Sequence, residues 1–401
     1  MNGLIAVEEA LRRVLDGAAP LPGEAVPLAA GFGRVLAEPL AARRTQPPGD
    51  VSAMDGYAVR AADLATLPVM LRVIGAAPAG HPFAGALGTG ETVRIFTGAM
   101  VPEGADAVLL QEDAEVLADG TISARQIVRL GQHIRRRGLD FEQGAVLLPA
   151  GTRLGPRQLA LAAALGHPTL PVYRRPLVAI IATGDELVLP GSDAGADKVI
   201  ASNSYAVAAL VDSLGGQVRD LGIVADDRAE FAAAIDVAAG ADILVTLGGA
   251  SVGDHDLTRD VLAGRGMQPI FWRIAMRPGK PLIFGRLGAC RVLGLPGNPV
   301  SSLVCALLFL KPLVESLLGL DPGDPTVSAR LGGAVRANDA RQDYLRAEIT
   351  LAGDGTRIAT PLHRQDSSML STLVEADCLI VRPPHAAAAE AGAPCRAIIL
   401  P

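Results

Sequence analysis

Aromatic side chains are scarce in this sequence of 401 residues, where phenylalanine, tyrosine and tryptophan together make up 3%. Charged residues are also few, at 19%, whereas hydrophobic residues reach 50%. The core must therefore be built from alanine, valine, leucine and isoleucine, as in sheets covered by helices with small side chains. Because a domain usually has about 100–200 residues, the length predicts two to four domains.

Cysteine and histidine are too few and too scattered to indicate a zinc site. The four cysteines form no C-x-x-C pair, and the six histidines form no pair at ligand spacing. Cys290 and Cys305 lie in apolar segments, which is typical of inert core thiols. These patterns argue against structural zinc.

The sequence also lacks a positive net charge and a long apolar run. Its net charge of −6 argues against a nucleic-acid partner, since such proteins need a basic face. The apolar segment Leu303–Leu310 stops at Lys311, well short of the roughly 18 residues of a membrane span. The N-terminus, with Glu8 and Glu9, has no signal-peptide pattern. We therefore expect a cytoplasmic protein without nucleic-acid or membrane partners.

Hydrophobic periodicity divides the first half of the chain into a helical part and a β-rich part. Ala6–Leu15 and Gln158–Leu165 have apolar residues at helical spacing. Between them, residues 46–139 have short apolar segments broken by glycine and proline, which indicates strands. We predict a discontinuous mixed helical domain (1–45 and 140–176) that encloses a β-rich domain (46–139).

Strands and helices alternate in residues 177–322, which predicts an α/β domain with a doubly wound parallel sheet in three αβα layers. Leu177–Thr183 is a continuous apolar run, as in a buried parallel strand. Residues 323–401 return to short β segments and predict a C-terminal domain that resembles a β-barrel. The whole chain is thus predicted as a multidomain α/β plus β protein.

Four loops follow strands of the α/β segment, at the edge where open α/β sheets bind ligands. The loops are Thr183–Glu186, Ala225–Asp227, Gly248–Asp256 and Leu295–Ser302. The last two combine small residues with a helix start, an arrangement that can bind phosphate through backbone N–H groups. Carboxylates in the same loops would repel a phosphate unless Mg²⁺ lay between them. These carboxylates are Glu186, Asp226, Asp254 and Asp256.

Three cations, Arg273, Arg277 and Lys280, follow within eight residues of one another. If Arg273–Met276 is a strand, Arg277 and Lys280 lie on the turn after it. Such a cluster suits a dianion or a pyrophosphate, and arginine can bind it with two parallel hydrogen bonds. Acids for a metal and bases for an anion together predict a polyanionic substrate bridged by a metal.

Each of these motifs also has a simpler structural interpretation. Thr183–Glu186 is compatible with a turn, Asp226–Asp227 with a helix N-cap, and the cations with a solvated turn. The loop Gly248–Gly253 matches neither a Walker nor a Rossmann fingerprint. Only the occurrence of all four loops at successive strand ends favours a binding site.

The motifs, taken in order, resemble the molybdopterin molybdenumtransferase family, which includes bacterial enzymes and the E domain of gephyrin. The resemblance covers nearly the whole chain. Besides the four loops and the segment Arg277–Pro281, it rests on Ser52–Ala58, Arg94–Ala99 and Gly131–Asp140. Without the resemblance, Asp55-Gly56 reads as a turn, Thr97-Gly98 as a loop, and Arg135–Arg137 as a solvated face that pairs with Asp140.

The resemblance implies a transferase of molybdenum cofactor biosynthesis with four domains, the third similar to molybdopterin adenylyltransferases. It implies that adenylylated molybdopterin and molybdate are the substrates, and that a Mg²⁺-dependent reaction releases AMP and molybdenum cofactor. It further implies a homodimer whose active site lies between the α/β domain of one subunit and the β-rich domain of the other. The adenylyltransferase and downstream molybdoenzymes are the other partners that it suggests.

The resemblance also assigns roles residue by residue. The catalytic residues are Asp55, Thr97, Asp140, Glu186, Asp226 and Asp256, of which Glu186, Asp226 and Asp256 organise the metal. The substrate and anion-binding residues are Gly248, Gly249, Ser251, Arg273, Arg277, Lys280, Pro296, Gly297, Asn298, Ser301, Arg346 and Ser367.

The chain departs from the family pattern at a few positions. Some relatives have lysine at Arg273 and Arg277, and valine is common at Ala250. Asp366 and Ser368 stand where glycines are common on either side of Ser367, and an aspartate beside an anion site is unexpected.

Two other functions fit parts of the sequence: adenylylation of molybdopterin with ATP, and a scaffold without enzymatic activity. The β-rich and C-terminal domains favour insertion over adenylylation, and the acidic residues would be superfluous in a scaffold. Molybdate and tungstate have nearly the same size and charge, so the sequence leaves both open.

Overall fold

The structure, a computed structural model, describes residues 3–192, 195–248 and 257–401. Its N-terminal part begins with helix α1 (Val7–Leu15) and continues with β1 (Gly23–Pro27) and β2 (Leu40–Ala41). The predicted apolar stripe of α1 is buried through Val7, Ala10 and Val14. These residues belong to the core of the α/β segment rather than to that of residues 140–176, with which the prediction grouped them. The apolar face of α1 therefore packs on the α/β segment, and the domain to which this helix belongs stays a prediction.

Residues 46–139 form a β-rich unit. Its strands are β3 (Val51–Ser52), β4 (Gly56–Val59), β5 (Val69–Ala77), β6 (Glu91–Ile95), β7 (Ala107–Leu110), β8 (Ala114–Val116), β9 (Thr121–Ala124) and β10 (Ile134–Arg135). Six of them make one sheet in the order β7-β4-β6-β5-β9-β8, and β3 pairs with β10. Apolar side chains cover both faces of that sheet.

Residues 140–176 return to the N-terminal strands. They contain β11 (Val146–Leu148), α2 (Pro156–Ala164) and β12 (Thr169–Tyr173). Strand β11 pairs with β2, and β12 pairs antiparallel with β1, so the chain enters and leaves the β-rich unit side by side. The discontinuous arrangement expected from the sequence is therefore compatible with these pairings.

The next segment contains a six-stranded sheet between helices, together with three short strands outside that sheet. Its strands and helices are β13 (Leu177–Thr183), β14 (Leu187–Val188), β15 (Val199–Ile200), α3 (Asn203–Leu214), β16 (Gln217–Val224), α4 (Arg228–Val237), β17 (Ile243–Leu247), α5 (Leu257–Gly264), β18 (Gln268–Phe271), β19 (Met276–Arg277), β20 (Ile283–Leu287), β21 (Cys290–Leu295), α6 (Pro299–Cys305) and α7 (Lys311–Leu317). The sheet order is β16-β13-β17-β21-β20-β18.

The predicted three-layer α/β architecture is confirmed, with one addition. The four strands β16, β13, β17 and β21 are parallel, whereas β20 and β18 are antiparallel neighbours at one edge. Helices α1, α3, α6 and α7 pack on one face, and α4 and α5 on the other. The short strands β18 and β20 were not predicted, because their apolar residues are too few to distinguish them from loops.

Helix α6 continues through a π-helical turn (Ala306–Leu310) into α7. Together they make a helix of 19 residues that is long and apolar enough to cross a membrane by length and composition alone. Two-thirds of it is buried against the protein, as in the core helix of a soluble domain. Lys311 is accommodated in this helix by an ion pair with Glu315 at 3.0 Å.

The C-terminal part closes into a barrel, as predicted. Its strands and helix are β22 (Thr326–Leu331), β23 (Gln342–Leu351), β24 (Arg357–Pro361), α8 (Leu370–Glu375), β25 (Cys378–Arg382) and β26 (Pro394–Ile399). The five strands follow the order β23-β24-β22-β26-β25, and β25 pairs again with β23. Strand β19 of the preceding segment adds to β23, which joins the barrel to the α/β unit.

Candidate active site

A cleft of 1530 Å³ lies at the carboxyl ends of the parallel strands and extends to the barrel. It brings together residues that are far apart in the sequence. Ten of the predicted site residues line it: Glu186, Asp226, Gly248, Arg277, Lys280, Pro296, Gly297, Asn298, Ser301 and Ser367. Two of the acids and two of the cations named from the sequence thus share one cavity.

The strand order explains why the cleft lies here. The chain passes from β13 to β16 on one side and then to β17 on the other, so the connections diverge between β13 and β17. Ligands of doubly wound sheets bind at such a point. Gly248, directly after β17, has φ +92°, and a Cβ there would lie 2.6 Å from the Thr183 carbonyl oxygen. Only glycine fits this turn beside the end of β13.

The acidic side of the cleft is formed by the loops after β13 and β16. The backbone N–H of Asp226 donates to Asp185 Oδ1 at 3.0 Å, which brings the two loops together. Burial raises the pKa of Asp226, and the neighbouring Asp185 and Glu186 carboxylates raise that pKa further. This end of the cleft is therefore negatively charged, and Asp226 has no ion-pair partner in the described part of the chain.

The two consecutive aspartates after β16 have different roles. Asp227 is the N-cap of α4, because its Oδ1 accepts from the N–H groups of Ala229 at 2.8 Å and Glu230 at 3.0 Å. Asp226 lines the cleft instead. The helix-cap interpretation is therefore confirmed for Asp227, while the role of Asp226 as a site residue stays a prediction.

Within residues 3–192, 195–248 and 257–401, no three acidic, cysteine or histidine side chains are close enough to hold a metal by themselves. Glu186 and Asp226 supply two carboxylates. Mg²⁺ is commonly held by one or two carboxylates, with waters and substrate phosphates as the other ligands. Asp256, the third predicted ligand, lies outside the described residues, as do Gly249, Ala250, Ser251 and Asp254.

The loop between β21 and α6, from which phosphate binding was predicted, forms another wall of the cleft. Pro299 occupies the first turn of α6, where its missing N–H costs nothing. Asn203 Nδ2 donates to the Gly297 carbonyl at 2.7 Å and fixes the loop from the α3 side. Ser301 is buried within the first turn of the helix. The loop therefore presents small residues and a helix start, as the sequence predicted.

The barrel completes this wall through Ser367. Asn298 Nδ2 donates to Ser367 Oγ at 2.9 Å, and the Val300 N–H donates to the Ser367 carbonyl at 3.1 Å. The unexpected Asp366 turns back on its own loop, where its Oδ1 accepts from the N–H and hydroxyl of Ser368. These bonds lower the pKa of Asp366 and direct that oxygen toward its own chain.

Arg346 lies beneath this loop rather than in the wall of the cleft. Its exposure is 1%, and its Nη2 donates to the Asp366 carbonyl at 3.2 Å. Burial lowers the pKa of its guanidinium. Gln365 holds the same loop, since its side chain accepts from the Arg346 N–H and donates to the Arg346 carbonyl. Arg346 is therefore placed to support the loop of Ser367 and does not line the cleft, and its contact with an anion stays a prediction.

The three predicted cations differ in position. Arg277 ion-pairs with Asp343, and Lys280 is exposed without an ion-pair partner among the described residues. Arg273 is exposed and does not line the cleft. The predicted strand Arg273–Met276 is only Met276–Arg277, because Ile274 makes a single bridge to Ile5. The chain therefore turns before Met276, and Arg273 lies outside the cavity.

The predicted residues of the β-rich unit also lie outside this cleft. Asp55 Oδ1 accepts from both the N–H and the hydroxyl of Thr97, each at 2.8 Å. Asp140 is exposed, and the arginines expected to pair with it bind elsewhere. Arg136 donates to Asp50 Oδ2 at 2.5 Å, and the Arg137 N–H donates to Asp50 Oδ1 at 2.8 Å.

Sequence reasoning missed several residues that line the cleft. They include Asn203, Arg228 and Arg341. Arg228 follows the Asp226–Asp227 loop directly and was the one with a positional signal. Arg341 reaches the site from the barrel, and nothing in its local sequence distinguishes it from other surface arginines.

Comparisons with known proteins agree with this geometry. Residues 5–166 match the MoeA N-terminal region (domain I and II), residues 179–316 a probable molybdopterin binding domain, and residues 328–400 the MoeA C-terminal region (domain IV). The molybdopterin molybdenumtransferase of Haemophilus influenzae is 37% identical over 382 residues, which are 94% of either chain. That of Bacillus subtilis is 33% identical and covers 99% of this chain and 94% of its own.

The fold has the same relatives. The crystal structure of a molybdopterin biosynthesis MoeA protein from Pyrococcus horikosii superposes with a TM-score of 0.85, at 34% identity and over 99% of both chains. Sequence, domain order and fold thus agree over nearly the full length. The chain belongs to the molybdopterin molybdenumtransferase family, whose members are transferases of molybdenum cofactor biosynthesis.

Proposed function

We propose that this protein inserts molybdate into adenylylated molybdopterin in a Mg²⁺-dependent reaction that releases AMP and molybdenum cofactor. One observation supports this most directly: Glu186 and Asp226 line the same cleft as Arg277 and Lys280. The proposed substrate has a pyrophosphate at one end and accepts an oxyanion at the other. Acidic residues that hold a metal for the pyrophosphate and basic residues that bind the oxyanion must therefore lie in one cavity.

Glu186 and Asp226 are the residues that fit Mg²⁺. Burial and the neighbouring acids Asp185 and Glu186 raise the pKa of Asp226, and a divalent ion beside a substrate phosphate would offset this negative charge. When bound, Mg²⁺ neutralises charge that develops on the pyrophosphate. Asp256 belongs to the same proposal on the strength of the family pattern alone.

The residues of the chain have mainly binding and orienting tasks in this reaction. The loop Pro296–Ser301 and Gly248 hold the phosphorylated end of the pterin. We assign Gly249 and Ser251 to the same task. Lys280 and Arg277 bring the doubly charged molybdate to the dithiolene against charge repulsion. Two Mo–S bonds then form, while one molybdate oxygen leaves as water with the two thiol protons.

Cleavage of the adenylate requires an oriented oxygen nucleophile. The nucleophile is water, and we assign the task of orienting it to Asp55 with Thr97, or to Asp140. These residues would be contributed by the second subunit of a homodimer. The support is that all three are exposed and lie outside the cleft of their own chain. Water attacks the adenylyl phosphorus, the bond to the pterin phosphate oxygen breaks, and AMP leaves. We further propose a cytoplasmic location, with the adenylyltransferase and downstream molybdoenzymes as partners.

Turnover of adenylylated molybdopterin with molybdate and Mg²⁺, followed by released AMP, tests the proposal. We expect AMP release to depend on Mg²⁺ and to be abolished in Glu186→Ala. Asp212→Asn, on the exposed side of α3 and outside the cleft, is the control and should retain activity. Adenylylation of molybdopterin from ATP without molybdate would instead identify an adenylyltransferase, and full activity of Glu186→Ala would remove this residue from the mechanism.

A further inference from the structure

Arg277 is enclosed by acceptors from the barrel. Its Nη2 donates to the Asp343 carboxylate and, at 3.3 Å, to Asn338 Oδ1. Its Nη1 lies 3.7 Å from Asp339 Oδ2. The side chain is still 48% exposed and lines the cleft. The barrel therefore occupies Nη2 and lies near Nη1, while about half of the side chain stays exposed at the cleft.

Backbone pairing determines this arrangement. Strand β19 pairs in parallel with β23, with Met276 opposite Gln342 and Arg277 opposite Asp343. The Gln342 N–H donates to the Ala275 carbonyl at 2.8 Å. The register of two strands thus fixes Asp343 beside Arg277, so that the contact does not depend on flexible side chains alone.

Asp343 is a buried acid in an unusual situation. The exposure of its side chain is 7%, and its Oδ1 has no hydrogen-bond partner among the described residues. Burial of a carboxylate is costly unless the charge is paired. Arg277 supplies that pairing through Oδ2, so the two charges are held together.

The surrounding charges also cancel. Asp339 binds Arg341 through contacts of 2.6 Å to Nη2 and 3.2 Å to Nε. Two acids and two arginines therefore contribute no net charge at this side of the cleft. Lys280 is the cation there that no described residue neutralises. The affinity of the cleft for a dianion depends on this balance.

We propose that Asp343 sets the affinity and charge selectivity of the oxyanion site by neutralising Arg277. It does not touch the anion; it acts through Arg277 and is a positioning residue. The identity of the anion as molybdate rests on the proposed function. The negative charge of Asp343 changes the electrostatic attraction of the cleft for anions, so the effect on binding applies to any tetrahedral oxyanion there.

Replacing Asp343 by asparagine keeps the shape and an acceptor for Arg277 but removes one negative charge. From Coulomb attraction across several ångströms in a hydrated cleft, we expect molybdate, a dianion, to bind about tenfold more tightly, and perrhenate, a monoanion of similar shape, about threefold. Asp339→Asn is the matched control. It removes an exposed acid that is farther from Arg277 and paired with Arg341, and it should change the ratio of the two affinities less.

Equilibrium dialysis of the full-length protein with labelled molybdate and perrhenate gives both dissociation constants, and thermal melting reports the fold. A purely structural role for Asp343 would lower the melting temperature and weaken both anions equally, which would overturn the proposal. An unchanged affinity ratio in a folded Asp343→Asn protein would do the same.

Should Asp343→Asn fail to fold, the double variant Arg277→Gln/Asp343→Asn provides the second test, since it replaces the ion pair by a neutral pair. Loss of the Arg277 hydrogen bonds should weaken the binding of both anions, but the net charge equals that of the wild type, so we expect the wild-type ratio of molybdate to perrhenate affinity. A changed ratio contradicts the proposal. Absence of oxyanion binding by the wild type overturns the site itself, whereas anion binding without AMP release contradicts only the proposed reaction.

Discussion

Thr97 donates two hydrogen bonds to a single oxygen of Asp55, one from its backbone N–H and one from its hydroxyl, each at 2.8 Å. The backbone bond is the larger cause of the lowered pKa of Asp55, and the hydroxyl is the second. The carboxylate is therefore held in its charged form at a pH where an ordinary aspartate begins to take up a proton.

Thr97→Val should raise the pKa of Asp55 only part of the way to its ordinary value, because the backbone bond remains. Carboxyl NMR titration measures this shift. Thr121→Val is the matched control: Thr121 binds Asp119 in the same two ways, but there the hydroxyl is the larger cause. We expect the larger shift at Asp119. If Asp55 is needed as a carboxylate, the acid limb of the activity profile moves to higher pH in Thr97→Val.

Mixing two inactive variants tests the shared active site. If Asp55 and Glu186 act from different subunits, neither Asp55→Asn nor Glu186→Ala is active alone, but their mixed dimer has one intact site. With random exchange of subunits, about a quarter of the wild-type activity should return. If both residues acted within one chain, every chain in the mixture would be defective and no activity would return.

Mg²⁺ should stabilise the protein through Asp226. The pKa of this acid is raised, so its ionisation opposes folding once the pH exceeds the ordinary value of an aspartate. We expect Mg²⁺ to raise the melting temperature at pH 7 and to do so less near pH 4. Asp226→Asn should melt higher than the wild type without Mg²⁺ and lose most of the response, while Asp212→Asn responds normally. An unaltered response in Asp226→Asn would contradict the assignment.

Gly248→Ala should be far more damaging than Gly240→Ala. Both glycines have φ near +90°, at +92° and +84°, so alanine costs about 1–2 kcal/mol at either position. At Gly240 the space is open, whereas at Gly248 the new Cβ meets the Thr183 carbonyl oxygen at 2.6 Å. Urea unfolding should show a further loss of about 1–3 kcal/mol for Gly248→Ala. Equal losses would mean that the turn can shift.

Two fully buried strand threonines should respond oppositely to valine. The hydroxyl of Thr246 has no partner among the described residues, whereas that of Thr92 donates to the Ala58 carbonyl at 2.8 Å. Removing an unpaired buried hydroxyl should stabilise the fold by up to about 1 kcal/mol, and removing a paired one should cost about 1 kcal/mol. Urea unfolding of Thr246→Val and Thr92→Val measures both. A destabilised Thr246→Val would indicate that its hydroxyl has a partner.

The fold could be predicted largely from periodicity. Leu177–Thr183 is a continuous apolar run, and the structure has a strand with these same bounds. Helix α3 ends at Gly215, whose φ of +92° is the left-handed stop expected of glycine. The packing of α1 was not predictable, because an apolar stripe specifies that a face is buried but not which domain covers it.

The site was predictable where it follows strand ends and less so where tertiary contacts decide. Loops after parallel strands are expected to meet at one edge of the sheet, and those after β13, β16 and β21 do so together with Gly248. The positions of Arg273 and Arg346 depend on a turn and on burial beneath a loop, neither of which has a local signal. The neutralisation of Arg277 depends on the register of β19 with β23, which pairs residues 66 positions apart.

The contact of Asn298 and Val300 with Ser367 joins the start of α6 to a loop synthesised 67 or more residues later. A ribosome that has finished the α/β segment has therefore made strand β21, helix α6 and the loop between them. It has not yet made Ser367, the residue that secures this loop. The growing chain can therefore complete this wall of the cleft only when nine-tenths of it has been translated, so the cleft takes its final form late in synthesis.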